Sequence, residues 1–145
     1  MVKVEKSIRI NAPVERVFDY INVPANLPEV WPSMVEAKDI QKLPNGGNRF
    51  RWVYKMAGMR FEGVSEDTDV VPNQKVVSKT EGGLESIVTW ALQTEAESTN
   101  VRFIAEYTVP IPLLGRLAEA FIVRQNEHEA EVLLANLKDR METGK

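Results

Sequence analysis

The sequence predicts an α+β domain in which seven antiparallel strands curve around one long C-terminal helix. Three observations carry this reading. From Arg116 to Thr143 no Gly or Pro interrupts the chain, and good helix formers (Ala, Leu, Glu, Arg) dominate it. At ~1.5 Å per residue the run is about 42 Å long, more than the diameter of a small domain. Residues 36 to 109 break into short segments separated by turns at hairpin spacing. The apolar side chains of the terminal run spread over a wide arc, as in a helix embraced by other elements rather than laid on a surface. A sheet bent around such a rod tends to leave a hollow.

Val2, Val4, Ile8 and Ile10 alternate with polar residues and predict a half-buried first strand, with Lys6 the exception on the apolar side. Asn11-Ala12-Pro13 stops it, and Val14, Val17, Phe18 and Ile21 fall at helical spacing, so a short helix is expected over Pro13 to Ile21. Pro24, Pro28 and Pro32 leave room for a single turn, with Leu27, Val30 and Trp31 facing inward. Val35 to Leu43 reads as a strand that ends in the turn Pro44-Asn45-Gly46-Gly47. Arg49 to Met56 alternates, with Phe50, Trp52, Tyr54 and Met56 on one side. Ala57-Gly58 reverses the chain into Met59 to Val71. Pro72-Asn73 and Glu81-Gly82-Gly83 bound a strand over Gln74 to Thr80, and Ser86 to Thr94 and Asn100 to Val109 form the last pair. On that final strand Val101, Phe103, Ala105, Tyr107 and Val109 share a face.

On a wheel of the terminal helix, Leu117, Phe121, Val132 and Ala135 occupy one sector, with His128 beside them. Ala118, Ile122 and Leu133 fall on an adjacent sector, and Val123, Leu134, Leu137 and Met141 on a third. The first sector is expected to look toward the hollow.

The 145 residues, 43% hydrophobic, suit one domain spanning 1–145 with a single core. A net charge of −3 and scattered Lys and Arg give no basic footprint for nucleic acid. The absence of cysteine excludes disulfide and thiolate chemistry. No stretch approaches the ~20 apolar residues of a membrane span. The first residues alternate in polarity and lack a continuous apolar segment, so no signal peptide and a cytoplasmic location are expected.

Asn11-Ala12-Pro13-Val14-Glu15-Arg16-Val17-Phe18-Asp19 resembles the strand-to-helix junction of the START/Bet v 1-like (SRPBCC) superfamily. Leu27-Pro28-Glu29-Val30-Trp31-Pro32 resembles its next element. Tyr107-x-x-Pro110-x-x-Leu113-Leu114-Gly115-Arg116, followed by a helix ending Asn136-Leu137-Lys138, resembles its C-terminus. The nearest branch is the polyketide cyclase/dehydrase and lipid-transport group, and the resemblance covers almost the whole chain. It implies the helix-grip fold and a deep, mostly apolar cavity between sheet and long helix. Members of the superfamily bind lipids, sterols, hormones, quinones or polyketides there, and some are enzymes, so fold alone does not fix function.

On this basis the residues expected to line the cavity are Trp31, Phe50, Trp52, Tyr54, Phe61, Trp90, Phe103, Tyr107, Leu117, Phe121 and His128. The competing reading of the aromatics is ordinary core packing, and a one-residue slip of register would turn Trp52 and Tyr54 outward. No nucleotide-binding, zinc-protease or nucleophile-elbow motif occurs, and one histidine without cysteine rules out the usual zinc sites. No cofactor is therefore expected. His128, Tyr54 and Tyr107 are the candidates for acid/base chemistry. The bland alternative for His128 is a solvated residue, or one bonded to Glu129 or Glu131. Glu62, Glu66, Glu85, Glu106, Arg49, Arg51 and Arg102 are expected on the solvated face as cross-strand ion pairs. Ile111, Leu113 and Leu114 suggest either a gate or membrane-touching lip, or a stapled helix start. Three functions follow in order: a carrier or sensor of a small hydrophobic ligand, a cofactor-independent cyclase, aromatase or dehydratase, and a protein-interaction module. Oligomeric state is left open.

Overall fold

The computed structural model describes residues 2–56, 58–82, 85–108 and 116–143. In chain order its elements are β1 (Val2–Ile10), α1 (Val14–Ile21), a 3-10 turn (Pro24–Asn26), α2 (Leu27–Val30), β2 (Met34–Lys42), β3 (Asn48–Met56), β4 (Met59–Val71), β5 (Lys75–Gly82), β6 (Ser86–Glu95), β7 (Ser98–Tyr107) and α3 (Arg116–Thr143). The strands form one sheet in the order β1-β7-β6-β5-β4-β3-β2, and every neighbouring pair is antiparallel. This is the helix-grip fold. Pro13 stays extended, at φ −65° and ψ 147°, so α1 starts one residue later than its apolar spacing suggests. Residues 109–115, which carry the Ile111 to Leu114 segment, and Ala57 and Gly83 of two predicted turns lie outside the described residues.

The sheet bends where its ladders slip. Register shifts interrupt β2 against β3 at Met34/Glu36 and Lys38/Gln41, and β4 against β5 at Asp67/Asp69. Such bulges raise local twist and re-aim side chains. At the end of the β4–β5 ladder Gly63 pairs with Gly82. A Cβ at Gly63 would collide with the Glu81 carbonyl oxygen and with the Trp52 ring, so a glycine here lets the indole lie on the strand.

The helix α3 packs chiefly on β1, and it also touches α2 and β7. Ala130, Leu133, Leu134, Leu137 and Met141 are buried along its inner side against Val4, Ile10, Val17 and Val30. Polar ties fix the same half. Lys138 Nζ donates to the Arg9 carbonyl (2.9 Å), Glu142 accepts from the Asn11 amide (2.8 Å), and Asn136 donates to the Val30 carbonyl (3.0 Å). Arg140 pairs with Glu29 (2.8 Å). Lys6, the sequence's one polar intruder on the helix-facing side of β1, reaches Glu131 (3.1 Å) and Glu127 (4.0 Å) on α3. Cross-strand pairs such as Arg49–Glu66 (3.3 Å) occupy the outer face of the sheet, as their alternation with apolar residues predicts.

Leu137 is fully buried at the centre of this packing. Leu137→Ala should lower unfolding free energy by about 2–5 kcal/mol in urea denaturation, because the rigid seam cannot close the space. A loss under ~1 kcal/mol would mean that α3 is not held by this seam.

Candidate functional site

Toward the N-terminal half of α3 the inner stripe changes character. Leu133 is followed, one turn up, by Ala130 and Glu129, then Asn126. Small and polar groups therefore face the sheet where large apolar ones would be needed to reach it. A cavity of about 120 Å³ remains beneath them. All seven strands contribute to its far wall, with Phe50, Trp52 and Tyr54 of β3, Val76 of β5, Trp90 of β6, and Phe103 and Tyr107 of β7 prominent. Trp31, just after α2, lines it too and touches the rings of Tyr54 on β3 and Phe103 on β7.

The rings pack edge to face. Trp31 meets Tyr54 at 6.0 Å and Phe103 at 5.4 Å between centroids, and Trp90 meets Phe103 at 5.0 Å. These are favoured quadrupole geometries, and they make the wall stiff. All three tryptophans of the chain belong to it.

Polar groups enter in three clusters. Under α3, Glu129 accepts from the Ser33 amide (3.1 Å), from the Ser33 hydroxyl and from Tyr54 Oη (3.2 Å), while Trp31 Nε1 donates to Tyr54 Oη (3.3 Å). At the opposite end buried Asp67 accepts from the Asn48 amide (2.7 Å) and the Ser78 hydroxyl (2.6 Å). Asn48 Nδ2 in turn donates to the Asn22 carbonyl (2.7 Å), which ties this end to the C-terminus of α1. The third cluster is Asn126 donating to Tyr107 Oη (2.7 Å). One donor stands apart: Trp52 Nε1 is buried with no acceptor among the described residues.

Desolvation governs the titration of these groups. Burial, with the nearby Glu129 charge, holds the Tyr54 phenol well above its ordinary value near 10. Burial raises Tyr107 too, against the opposing Asn126 hydrogen bond. Burial also pushes the Asp67 carboxyl up, partly countered by the Ser78 and Asn48 donors. Outside the cavity Tyr20 is raised to about 12 by burial and by its bond to Glu29. Among the described residues no group of three or more His, Cys, Asp or Glu is placed to hold a metal ion. No helix among them is long and apolar enough to cross a membrane.

A family model described as polyketide cyclase / dehydrase and lipid transport matches residues 1–142. The chain belongs to this family. Solved structures share its fold. A Thermus thermophilus protein, TTHA0849, is 23% identical with a TM-score of 0.77, covering 99% of both chains. A START superfamily protein from Mycobacterium smegmatis is 13% identical with a TM-score of 0.78, again over 99% of both chains. The ZhuI aromatase/cyclase from Streptomyces sp. R1128 is 16% identical with a TM-score of 0.74, over 96% of this chain and 94% of that one. No curated protein sequence matches significantly.

Within this family fold the residues singled out from the sequence separate into two groups. Trp31, Phe50, Trp52, Tyr54, Trp90, Phe103 and Tyr107 lie together on the cavity wall. Phe61, opposite Tyr54 in the ladder, packs half-buried against the core without reaching the cavity lining. Phe121 is 58% exposed and His128 is exposed, both away from the cavity. The side chain of Leu117 lies outside the described residues. The helix is rotated from the expected phase: its inward stripe runs Ile122, Asn126, Glu129/Ala130, Leu133, Leu137, Met141. The wide apolar arc admitted several phases, and the seam with β1 selects this one. Glu129, Ser33, Asn126, Asp67 and Asn48 were missed. A glutamate in step with Leu133 and Ile122 was the available signal for Glu129. For Asp67 it was shared parity with Phe61 and Gly63 on β4.

Because folded-state tyrosine pKa values lie above the unfolded value of ~10, their contribution to stability is intact below pH ~10. It is lost as pH rises through the folded values, about 12 for Tyr20. Phenolate absorbance of the native protein should therefore lag that of the urea-unfolded chain. Glu129→Gln should shift part of it to lower pH by removing the charge beside Tyr54. Superimposable native and unfolded titrations would contradict these burial assignments.

Proposed function

We propose that this protein binds a small, largely apolar ligand in the cavity between the sheet and α3, as a carrier or sensor. The observation that supports this best is an aromatic-walled hollow of about 120 Å³, lined by Trp31, Trp52 and Trp90, inside an otherwise well-packed fold. Protein interiors are normally filled. A comparable engineered cavity, of about 150 Å³, takes up benzene. The space thus suits about one ring, and longer lipid-like or polyketide-like ligands need the walls to part.

A second reading, a cofactor-independent cyclase, aromatase or dehydratase, draws support from the Tyr54–Glu129 contact at 3.2 Å. Two side chains of the kind that move protons meet there at the cavity, and the structural neighbours include three aromatase/cyclases, two of them di-domain proteins. The chemistry of Tyr54 weighs against it. General acids and bases work best with pKa values near the operating pH, and burial moves this phenol further from it. Its O–H already donates to Glu129. The pair serves better as a fixed polar end of a binding site. The third reading, an interaction module, draws only on the apolar residues around Pro110 to Leu114, which lie outside the described residues.

Ala130→Phe places a ring where the helix leaves space. It should weaken binding of a hydrophobic probe at least about tenfold while changing stability by less than ~2 kcal/mol, since the new side chain has room. Titration of a fluorescent apolar probe, with native mass spectrometry of the purified protein for co-purified ligand, measures both. Unchanged probe affinity in this variant would place the ligand elsewhere.

A further inference from the structure

One patch of the cavity floor restricts the ligand further, provided that the cavity is the binding site. The β4–β5 ladder sets Ser65 opposite Thr80 and Asp67 opposite Ser78, so these side chains form one block on the inner face. Asp67 is 5% exposed, yet it takes part in no ion pair among the described residues. Its bonds come from neutral donors, the Asn48 amide (2.7 Å) and the Ser78 hydroxyl (2.6 Å). Lys42, whose charge reaches Asp67, is exposed at the end of β2 and outside the lining. Glu129, at the other end, is also bonded only to neutral groups, and the described lining holds no Lys, Arg or His. Buried acids are rarely left without an opposite charge, and here the lining supplies none.

The donors of this block are already committed. Ser78 gives its single hydroxyl proton to Asp67, and Asn48 gives its side-chain N–H groups to Asn22. What remains is acceptors, the unused lone pairs of Asp67 and of the Ser78 oxygen. Ser65 adds another. It is 3% exposed, lines the cavity and has no hydrogen-bond partner among the described residues. Its hydroxyl oxygen keeps accessible surface, unlike the Trp52 indole nitrogen, which is sealed in. A group bound here must bring hydrogens, and the uncompensated carboxylates favour one that also brings positive charge. We propose that the ligand is an organic ammonium, a small apolar body whose protonated primary amine lodges among Asp67, Ser65 and Ser78. These oxygens replace the hydration that three ammonium N–H donors lose. The apolar body lies toward the aromatic wall, and ring faces attract a nearby cation. A ligand carboxylate or phosphate would meet like charges with no counter-ion.

Four one-ring probes of similar size test this by NMR titration at neutral pH: benzylammonium, benzyl alcohol, ethylbenzene and benzoate. Salt at about 0.15 M screens attraction to surface carboxylates. Benzylammonium should bind about tenfold tighter than benzyl alcohol, because a hydrogen bond to a charged group is worth more than a neutral one, and benzoate should bind weakest. Ser65→Ala removes no described hydrogen bond. It should weaken benzylammonium about threefold to tenfold and leave ethylbenzene unchanged. Asp67→Asn keeps an oxygen for the Asn48 amide and should weaken benzylammonium about tenfold or more. In the wild-type protein, nuclear Overhauser contacts should join the benzylic CH₂ to the β-protons of Ser65 and Ser78, a readout independent of any variant's folding. Benzyl alcohol or ethylbenzene binding as tightly as benzylammonium would overturn the ligand class. So would benzylammonium bound without those contacts, which marks attachment at surface carboxylates. Failure of all four probes to bind would instead overturn the cavity as a ligand site, and the inference with it.

Discussion

Everything in this molecule depends on one seam, the apolar contact between the C-terminal half of α3 and β1. Leu133, Leu134 and Leu137 are almost wholly buried there, and the ties from Lys138, Glu142 and Asn136 lie along the same half of the helix. A rod anchored over half its length on the edge of a bent sheet projects its other half across the concave side. Whether that projection encloses a core or a hollow is then decided by side-chain size. Ala130 is too short to reach the opposite strands, and Asn126 and Glu129 meet them only at the tips of Tyr107 and Tyr54, so a space persists. The cavity follows from anchoring plus short side chains, and it needs no special lining to exist.

The polar groups explain why the hollow does not collapse. A void beneath a helix is unstable when its walls are free to relax inward. Here Glu129 is pinned to Ser33 and Tyr54 from the helix side, while Asp67 pins the start of β3 through the Asn48 amide and β5 through Ser78. Asn45 adds a bond from the β2–β3 turn to the Asp67 carbonyl (2.9 Å). The two ends are thus fixed by networks that would have to break before the walls could move together. Buried and satisfied, such networks specify geometry as well as contribute energy.

Much of this was legible in the sequence, and the reasons differ by element. The bounds of α3 were readable because nothing in Arg116 to Thr143 breaks a helix. The inner face of β3 was readable because Phe50, Trp52 and Tyr54 alternate with Arg49, Arg51 and Lys55. Lys6 looked anomalous in its strand and is explained by acids on an element more than a hundred residues away in the chain, Glu127 and Glu131. Rotation of α3 was not readable, because apolar residues on three sectors allow several faces inward. That ambiguity placed Phe121 and His128 toward the hollow, when the seam with β1 turns them to solvent. The inward face of β4 was also hidden. It presents Ser65 and Asp67, which look solvated in isolation, and only the bulge near Asp67 and the facing Asn48 and Ser78 give Asp67 buried partners.

The same reasoning separates holding a ligand from transforming it on a shared fold. An enzyme of this architecture needs a group that changes protonation near neutrality and faces the substrate. The chain's one histidine, His128, is exposed on α3 and does not line the cavity. Tyr54 and Tyr107, which do face the cavity, have their protons held more firmly by the very burial that brings them there. Burial raises the affinity of such a wall for apolar matter and lowers its capacity for proton transfer, because desolvation disfavours the phenolate. In this chain the two effects act on the same rings, and this is the ground on which the proposed binding reading stands ahead of the cyclase one.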